Sequence, residues 1–228
     1  MNVHLECIFC IQRQALEAVR LVTDDMKRQE KILRMIMDEL LEMSWNTSPP
    51  EIADVVYRIV RKESKEDDPY KTLEKDFRIY DFSEFVQALE KSQNITYVAD
   101  NAGEIVFDKI LLETIMREYN IRKILFAVKG TPFINDATLE DAVYVGIDRI
   151  PGIEIINIGV NETGMKRSSE AFLNIIATSD IIISKGQGNY EALTDQKNIF
   201  FMLIAKCPII ARDLGVNVGD IVLKRNLG

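Results

Sequence analysis

Six short apolar runs in the second half of the chain, separated by segments of helical pattern, constrain the fold more than any other feature of this sequence. They lie at Ile95 to Ala99, Ile121 to Val128, Ile153 to Ile158, Ile181 to Ser184, Ile199 to Ile204 and, more briefly, near Ile221 to Leu223. Helical periodicity follows Gly103, recurs around Leu139 to Ile147 and returns from Ser168 to Ile176. A strand with one wet face alternates polar and apolar residues, but ILFAV and the isoleucines of DIIIS have no polar face. Strands buried on both sides, alternating with helices, predict a parallel sheet covered on both faces. Residues 93–228 are therefore expected to form an α/β domain, a Rossmann-like parallel sheet sandwiched by helices.

The first half has a different rhythm. From about Ile11 to Met43 apolar residues recur at three and four spacing (Ala15, Val19, Val22, Met26, Ile32, Met35, Leu40), as one or two long amphipathic helices require. The stretch TSPPE interrupts them, with Ser48 placed to cap and Pro49 and Pro50 to open a helix whose buried face is Ile52, Val55, Val56, Ile59 and Val60. A charged segment from Arg61 to Asp76 reads as a solvated connection or a partner-facing stretch. A further helix spans about Phe82 to Lys91, and no strand is evident before it. Residues 1–92 are expected to be a helical N-terminal subdomain.

Composition narrows the chemistry. The single histidine, His4, excludes serine triads elsewhere in the chain and histidine-rich zinc sites, so catalysis must run on carboxylates, amides, lysines or hydroxyls. A net charge of −8, spread along the chain, argues against a nucleic-acid surface. No stretch approaches the roughly 18 apolar residues of a membrane span, and MNVHLECIFC lacks the order of a signal peptide, so a cytoplasmic location is expected. Three cysteines, two of them in Cys7-x-x-Cys10, fit a reducing compartment better than a disulfide framework. Cys7, Cys10 and Cys207 with His4 could hold a soft metal; the plainer reading is two small buried thiols and a third beside the site.

Ligands of an open parallel sheet bind beyond the carboxyl ends of its strands. Four strand ends here carry polar groups: Asp100-Asn101-Ala-Gly103-Glu104; Lys129-Gly130-Thr131-Pro132, followed by Asn135-Asp136; Lys185-Gly186-Gln187-Gly188-Asn189-Tyr190-Glu191; and Lys206-Cys207-Pro208. Asp100, Asn101 and Asp136 offer the oxygen ligands that suit Mg²⁺, Mn²⁺ and similar ions. Lys129, Lys185 and Lys206 offer cations, and Gly186 and Gly188 backbone N–H groups, for an anion. A divalent ion beside lysines and a glycine turn is what a phosphate ester needs. Each piece has a plainer reading alone: Asp100 or Asn101 could cap the next helix, and Asn135-Asp136 the helix starting near Ala137. Glu104 reads as a helix stabiliser, and Asp108, Asp141 and Glu191 as outer contacts or helix surface.

At these residues the sequence resembles the domain of unknown function 89 family, whose members are described as metal-dependent damage-control phosphatases. The stretches that carry the likeness are DNAGE at 100–104, KGTPFINDAT at 129–138, KGQGNYE at 185–191 and the N-terminal Cys7-x-x-Cys10, which is similar to the compact archaeal and prokaryotic branch. The resemblance implies a metal held by Asp100, Asn101 and Asp136; a substrate loop of Gly186, Gln187, Gly188, Asn189 and Tyr190 with Lys185; and catalytic roles for Asp100 and Lys206, to which its strand-end position adds Lys129 as a further substrate-binding cation. It implies Mn²⁺, Co²⁺ or Ni²⁺, with Mg²⁺ also admissible, and small phosphorylated metabolites such as sugar phosphates as substrates. A metal-activated water or Asp100 itself would attack phosphorus. No nucleic-acid or membrane partner is expected, and a homo-oligomer is compatible with the sequence. Two other readings stay open: a carboxyl methyltransferase using S-adenosylmethionine, for which no early glycine-rich turn is found, and a non-catalytic binder of metal and phosphorylated ligand.

Overall fold

Doubly buried strands need partners on both edges and helices on both faces, and the computed structural model of the chain supplies them. It describes residues 31, 32, 35, 36, 39, 55, 58, 59, 77–130, 136–158 and 170–227. In chain order the elements are β1 (Phe77–Tyr80), α1 (Phe82–Lys91), β2 (Asn94–Val98), α2 (Ile105–Glu118), β3 (Lys123–Lys129), α3 (Leu139–Val145), a 3-10 turn (Ile147–Arg149), β4 (Ile153–Ile158), α4 (Glu170–Ala177), β5 (Ile181–Lys185), α5 (Gln187–Leu193), β6 (Ile199–Ile204), α6 (Pro208–Leu214) and β7 (Ile221–Asn226). The described residues before Phe77 are helical.

The seven strands make one sheet in the order β1-β7-β6-β5-β2-β3-β4. The five central strands are parallel, as expected. β7 runs antiparallel to β6 and parallel to β1. The reason lies after β6: Gly219 N–H donates to the Ala205 carbonyl and Ala205 N–H to the Asp220 carbonyl, so β7 begins at the edge where β6 ends. β1 falls in a stretch expected to be helical. Its four residues, FRIY, are half-exposed and exposed in alternation, and only the distant β7 makes them a strand.

Each face of the sheet has its own core. On one, α4, α5 and α6 pack Phe172, Tyr190 and Ile210 over Val98, Ile182 and Phe201. On the other, Tyr97 stacks on its register partner Phe126, and Phe85 of α1 meets Phe200 edge-on with ring centroids 5.1 Å apart.

Connectivity creates a break in the winding. From β2 the chain moves outward through β3 and β4, then crosses back to lay β5 against the other side of β2, and β6 beyond it. The connections that follow β2 and β5 therefore run toward opposite edges of the sheet, the kind of switch beside which parallel sheets bind ligands. The chain divides into two compact units, one of Met1–Lys75 with Ala102–Thr114 and one of Asp76–Asn101 with Ile115–Gly228. Asp100, Asn101, Lys129, Asp136, Lys185 to Tyr190 and Lys206 all belong to the second unit, while Glu104 and Asp108 belong to the first. No helix of the described residues is long and apolar enough to cross a membrane.

Candidate active site

Backbone hydrogen bonds bring the expected metal ligands together before any side chain acts. Beyond β2 and β3 the chain continues as a short extended piece at residues 136–138. Ala137 N–H donates to the Asp100 carbonyl at 2.7 Å, and Lys129 N–H to the Ala137 carbonyl at 2.9 Å. Asn101 and Asp136 form an antiparallel bridge, and Lys129 pairs with Thr138. Asp136 is thus held next to Asn101 although 35 positions separate them in the chain. Asn101 also donates its side-chain amide to Asp100 Oδ2 at 3.0 Å, which leaves the amide oxygen as its acceptor.

Asp136 does not cap α3. That role belongs to Thr138, whose hydroxyl accepts the Asp141 N–H while the Asp141 carboxylate accepts the Thr138 N–H at 2.9 Å. The reciprocal capping box satisfies the helix start and releases Asp136 from it. It also gives Asp141 a structural part. Nor do Asp100 and Asn101 directly precede a helix, because α2 begins only at Ile105. Glu104, read as a helix stabiliser, and Asp108, read as an outer contact or helix surface, are buried residues of the first unit.

β5 supplies the opposite wall. Gly186 has φ +81°, and a β-carbon built on it would lie 2.0 Å from Asp100 Oδ2 and 2.2 Å from its Cγ. The carboxylate of Asp100 therefore rests where any other residue at 186 would put its side chain. This contact joins the ends of β2 and β5 across the switch in winding.

Electrostatics at the site centre on Lys129. It is 5% exposed, and its ammonium lies 3.7 Å from Asp136 Oδ2. Burial pulls its pKa below the ordinary lysine value, and the charges of Asp136 and Asp100 oppose that pull. Lys129, expected to bind substrate, lies beside Asp136. Lys185 is likewise buried at the end of β5, whereas Lys206 is exposed after β6.

The loop after β5 is engaged largely with the protein itself. Asn189, 1% exposed, donates its amide to the Ala99 carbonyl at 2.9 Å and the Lys185 carbonyl at 2.7 Å. Flipping that amide would set oxygen against two carbonyls, so its orientation is fixed, and its Oδ1 has no hydrogen-bond partner. Gln187 accepts the Lys206 N–H at 2.8 Å through Oε1 and donates through Nε2 to Glu191 at 3.2 Å and toward Cys207 Sγ at 3.6 Å. Glu191 thereby acquires its partner within α5. Tyr190, expected at the substrate, is in the core: its ring packs edge-on against Phe201 and its hydroxyl donates to Asp213 at 2.5 Å. Gly188 is exposed on the first turn of α5.

The residues fit a divalent ion that prefers oxygen. Two carboxylates and an amide lie on adjoining backbone, Asn101 bonded to Asp100 and bridged to Asp136, and all three offer oxygen donors. Among the described residues no three His, Cys, Asp or Glu side chains gather around a common point. Cys207 is a half-buried free thiol. The expected soft-metal set otherwise rests on His4, Cys7 and Cys10, which lie outside the described residues, as do Thr131 to Asn135.

The chain is similar over most of its length to known proteins. The model of the damage-control phosphatase ARMT1-like domain matches residues 3–76 and 71–222. An uncharacterized protein of Methanocaldococcus jannaschii is 31% identical over an alignment covering 96% of this chain and 94% of that protein. A damage-control phosphatase of Pyrococcus horikoshii is 30% identical with 99% of each chain covered. One from Archaeoglobus fulgidus is 42% identical over 58% of this chain and 46% of its own length. The crystal structure of a DUF89 family protein from Pyrococcus horikoshii superposes with a TM-score of 0.60 at 27% identity, covering 97% of this chain and 98% of that one.

Proposed function

This chain belongs to the damage-control phosphatase ARMT1-like domain family, and from that premise we propose that it is a metal-dependent phosphatase of small phosphorylated metabolites. The observation that carries the reading is the Asp100 carboxylate laid against Gly186, with Asp136 stitched beside Asn101 at the same strand ends. That arrangement serves a phosphate ester better than a structural role, since a cap or an ordinary turn needs neither a second carboxylate nor a glycine kept bare beneath the first.

Asp100, Asn101 and Asp136 would hold the metal, which when bound supplies positive charge to a phosphoryl oxygen and acidifies a water. Lys206 would neutralise charge on the transferring phosphoryl group, and the N–H groups of Gln187, Gly188 and Asn189 would bind its remaining oxygens, the Gly186 N–H being held by the Met202 carbonyl at 2.9 Å. Lys129 would keep the two carboxylates in place by its charge. Mn²⁺, Co²⁺ or Ni²⁺ and sugar phosphates are the proposed metal and substrate classes, in a cytoplasmic setting.

The test is phosphate release from a panel of sugar phosphates with and without each metal. Asp136→Asn keeps size and shape but removes a charge, and should lower metal-dependent turnover by about 100-fold or more with an unchanged melting curve. Full activity of that variant across a metal titration would overturn the ligand assignment. Turnover independent of added metal in chelator-treated protein would overturn the metal dependence.

A further inference from the structure

We infer that Gln187 is a positioning residue for Lys206, fixing the backbone from which that lysine reaches the phosphate; this deepens the phosphatase reading above and rests on it. The loop that carries Lys206 is short and held at both sides. Ala205 is bonded through its N–H and its carbonyl to Asp220 and Gly219, and the Cys207 carbonyl accepts the Ala211 N–H as α6 begins. Between them the Lys206 N–H goes to the side chain of Gln187, at 2.8 Å.

Gln187 is well suited to that task and poorly suited to binding substrate. Its oxygen is taken by Lys206, and its amide nitrogen is directed to Glu191 and Cys207. It opens α5 directly after Gly186, the residue against which Asp100 rests. One side chain therefore ties the loop that seats the Asp100 carboxylate to the loop that carries the lysine. The two loops follow neighbouring strands, with Lys185 in register with Met202. An exposed lysine has a long flexible stem, so fixing its backbone narrows where the ammonium can be when the phosphoryl group transfers.

The experiment is a double-mutant cycle in the full chain with its metal. Gln187→Ala should lower kcat about tenfold and change KM by less than about twofold, because the lysine acts on charge that moves in the transition state. On a Lys206→Ala background the same change should cost almost nothing. Equal, additive losses on both backgrounds would overturn the proposal, since Gln187 would then act independently of the lysine. Amide exchange gives a readout that needs no turnover: the Lys206 N–H should exchange about fivefold faster in Gln187→Ala. Unchanged exchange there would also overturn it. If Gln187→Ala lowers the melting temperature, Gln187→Met, which keeps the length but offers no acceptor, repeats the cycle. A wild type that releases no phosphate from any substrate would sink the phosphatase reading itself, and the exchange measurement would still report whether Gln187 holds Lys206.

Discussion

β2 and β5 lie side by side, and one side chain fastens each end of the pair, with opposite chemistry. At the amino ends, Asp180 Oδ2 accepts the N–H groups of Gln93 and Asn94, both at 2.8 Å. At the carboxyl ends, the Asn189 amide donates to the carbonyls of Ala99 and Lys185. Strands that stop leave donors at one end and acceptors at the other, and each must be answered. Beyond that symmetry the two ends differ. The amino end is finished by Asp180, which is exposed and held by backbone donors. The carboxyl end carries a buried Asn189 Oδ1 with no hydrogen-bond partner and a carboxylate seated on a bare glycine, with Asp136 beside a buried ammonium at the neighbouring end of β3. A buried polar atom without a partner is costly to fold, and the Asn189 amide oxygen puts one at the end where parallel sheets bind ligands.

The comparison breaks most visibly at Gly186. Gly186→Ala would drive a methyl group into Asp100 at a residue with φ +81°, so the carboxylate must leave its seat. Activity should fall about 100- to 1000-fold, as when a charge-stabilising group is misplaced. Gly215→Ala is the control. That glycine has φ +70° but nothing within 4 Å of its would-be β-carbon, so the change costs only about 1–2 kcal/mol of backbone strain and should leave kcat/KM alone. Steady-state kinetics and thermal melts of the two variants separate contact from conformation. If both lost activity equally, the Asp100 contact would carry no special weight.

Much of the ligand end was legible in the sequence because strand ends can be read from apolar runs, and parallel sheets present ligands there. The runs ILFAV and IFFMLI became strands with almost the expected bounds. The contact between Asp100 and Gly186 was not legible, since it depends on β5 lying against β2, and neighbours in a sheet are not written in neighbouring sequence. β1 was missed for the same reason, being a strand only through β7. Within the loop after β5, the sequence grouped Gln187, Asn189 and Tyr190 as one substrate surface. A helix turns successive side chains about 100° apart, so the sheet claims Tyr190 and the strand ends claim Asn189. The capping of α3 was readable, as Thr138-x-x-Asp141, but the nearby Asn135-Asp136 offered an equally good local signal.

A smaller effect tests how rigidly the ligand end is mounted. Burial and the hydrogen bond to Asp213 push the Tyr190 hydroxyl up to about 12. Its folded value lies above its unfolded one, so the stability this group contributes is present below about pH 10 and is lost as pH rises toward 12. Tyr190→Phe should cost about 1 kcal/mol near neutral pH and flatten that alkaline loss. A difference titration by tyrosinate absorbance, wild type minus variant, should show one phenol ionising near 12; a phenol missing near 10 instead would place Tyr190 in water.

The smallest effect is expected at the finished end, and it is the one that decides whether the two ends are independent. The hydrogen bonds from Gln93 and then Asn94 hold the Asp180 carboxyl below the ordinary aspartate range. A folded value below the unfolded one means the contribution is present above the unfolded pKa and is lost as pH falls through the folded one. Solvent screens this exposed group, so Asp180→Ala should cost no more than about 1 kcal/mol at pH 7, and the gap to wild type should close in acid. Denaturant melts across that pH range check the sign. Phosphatase activity should not change, because Asp100, Asp136 and Lys206 sit at the carboxyl ends of the strands. Were Asp180→Ala to lower kcat as Gly186→Ala does, the ends would be coupled through β2 and β5, and a fastening read as purely structural would belong to the active site.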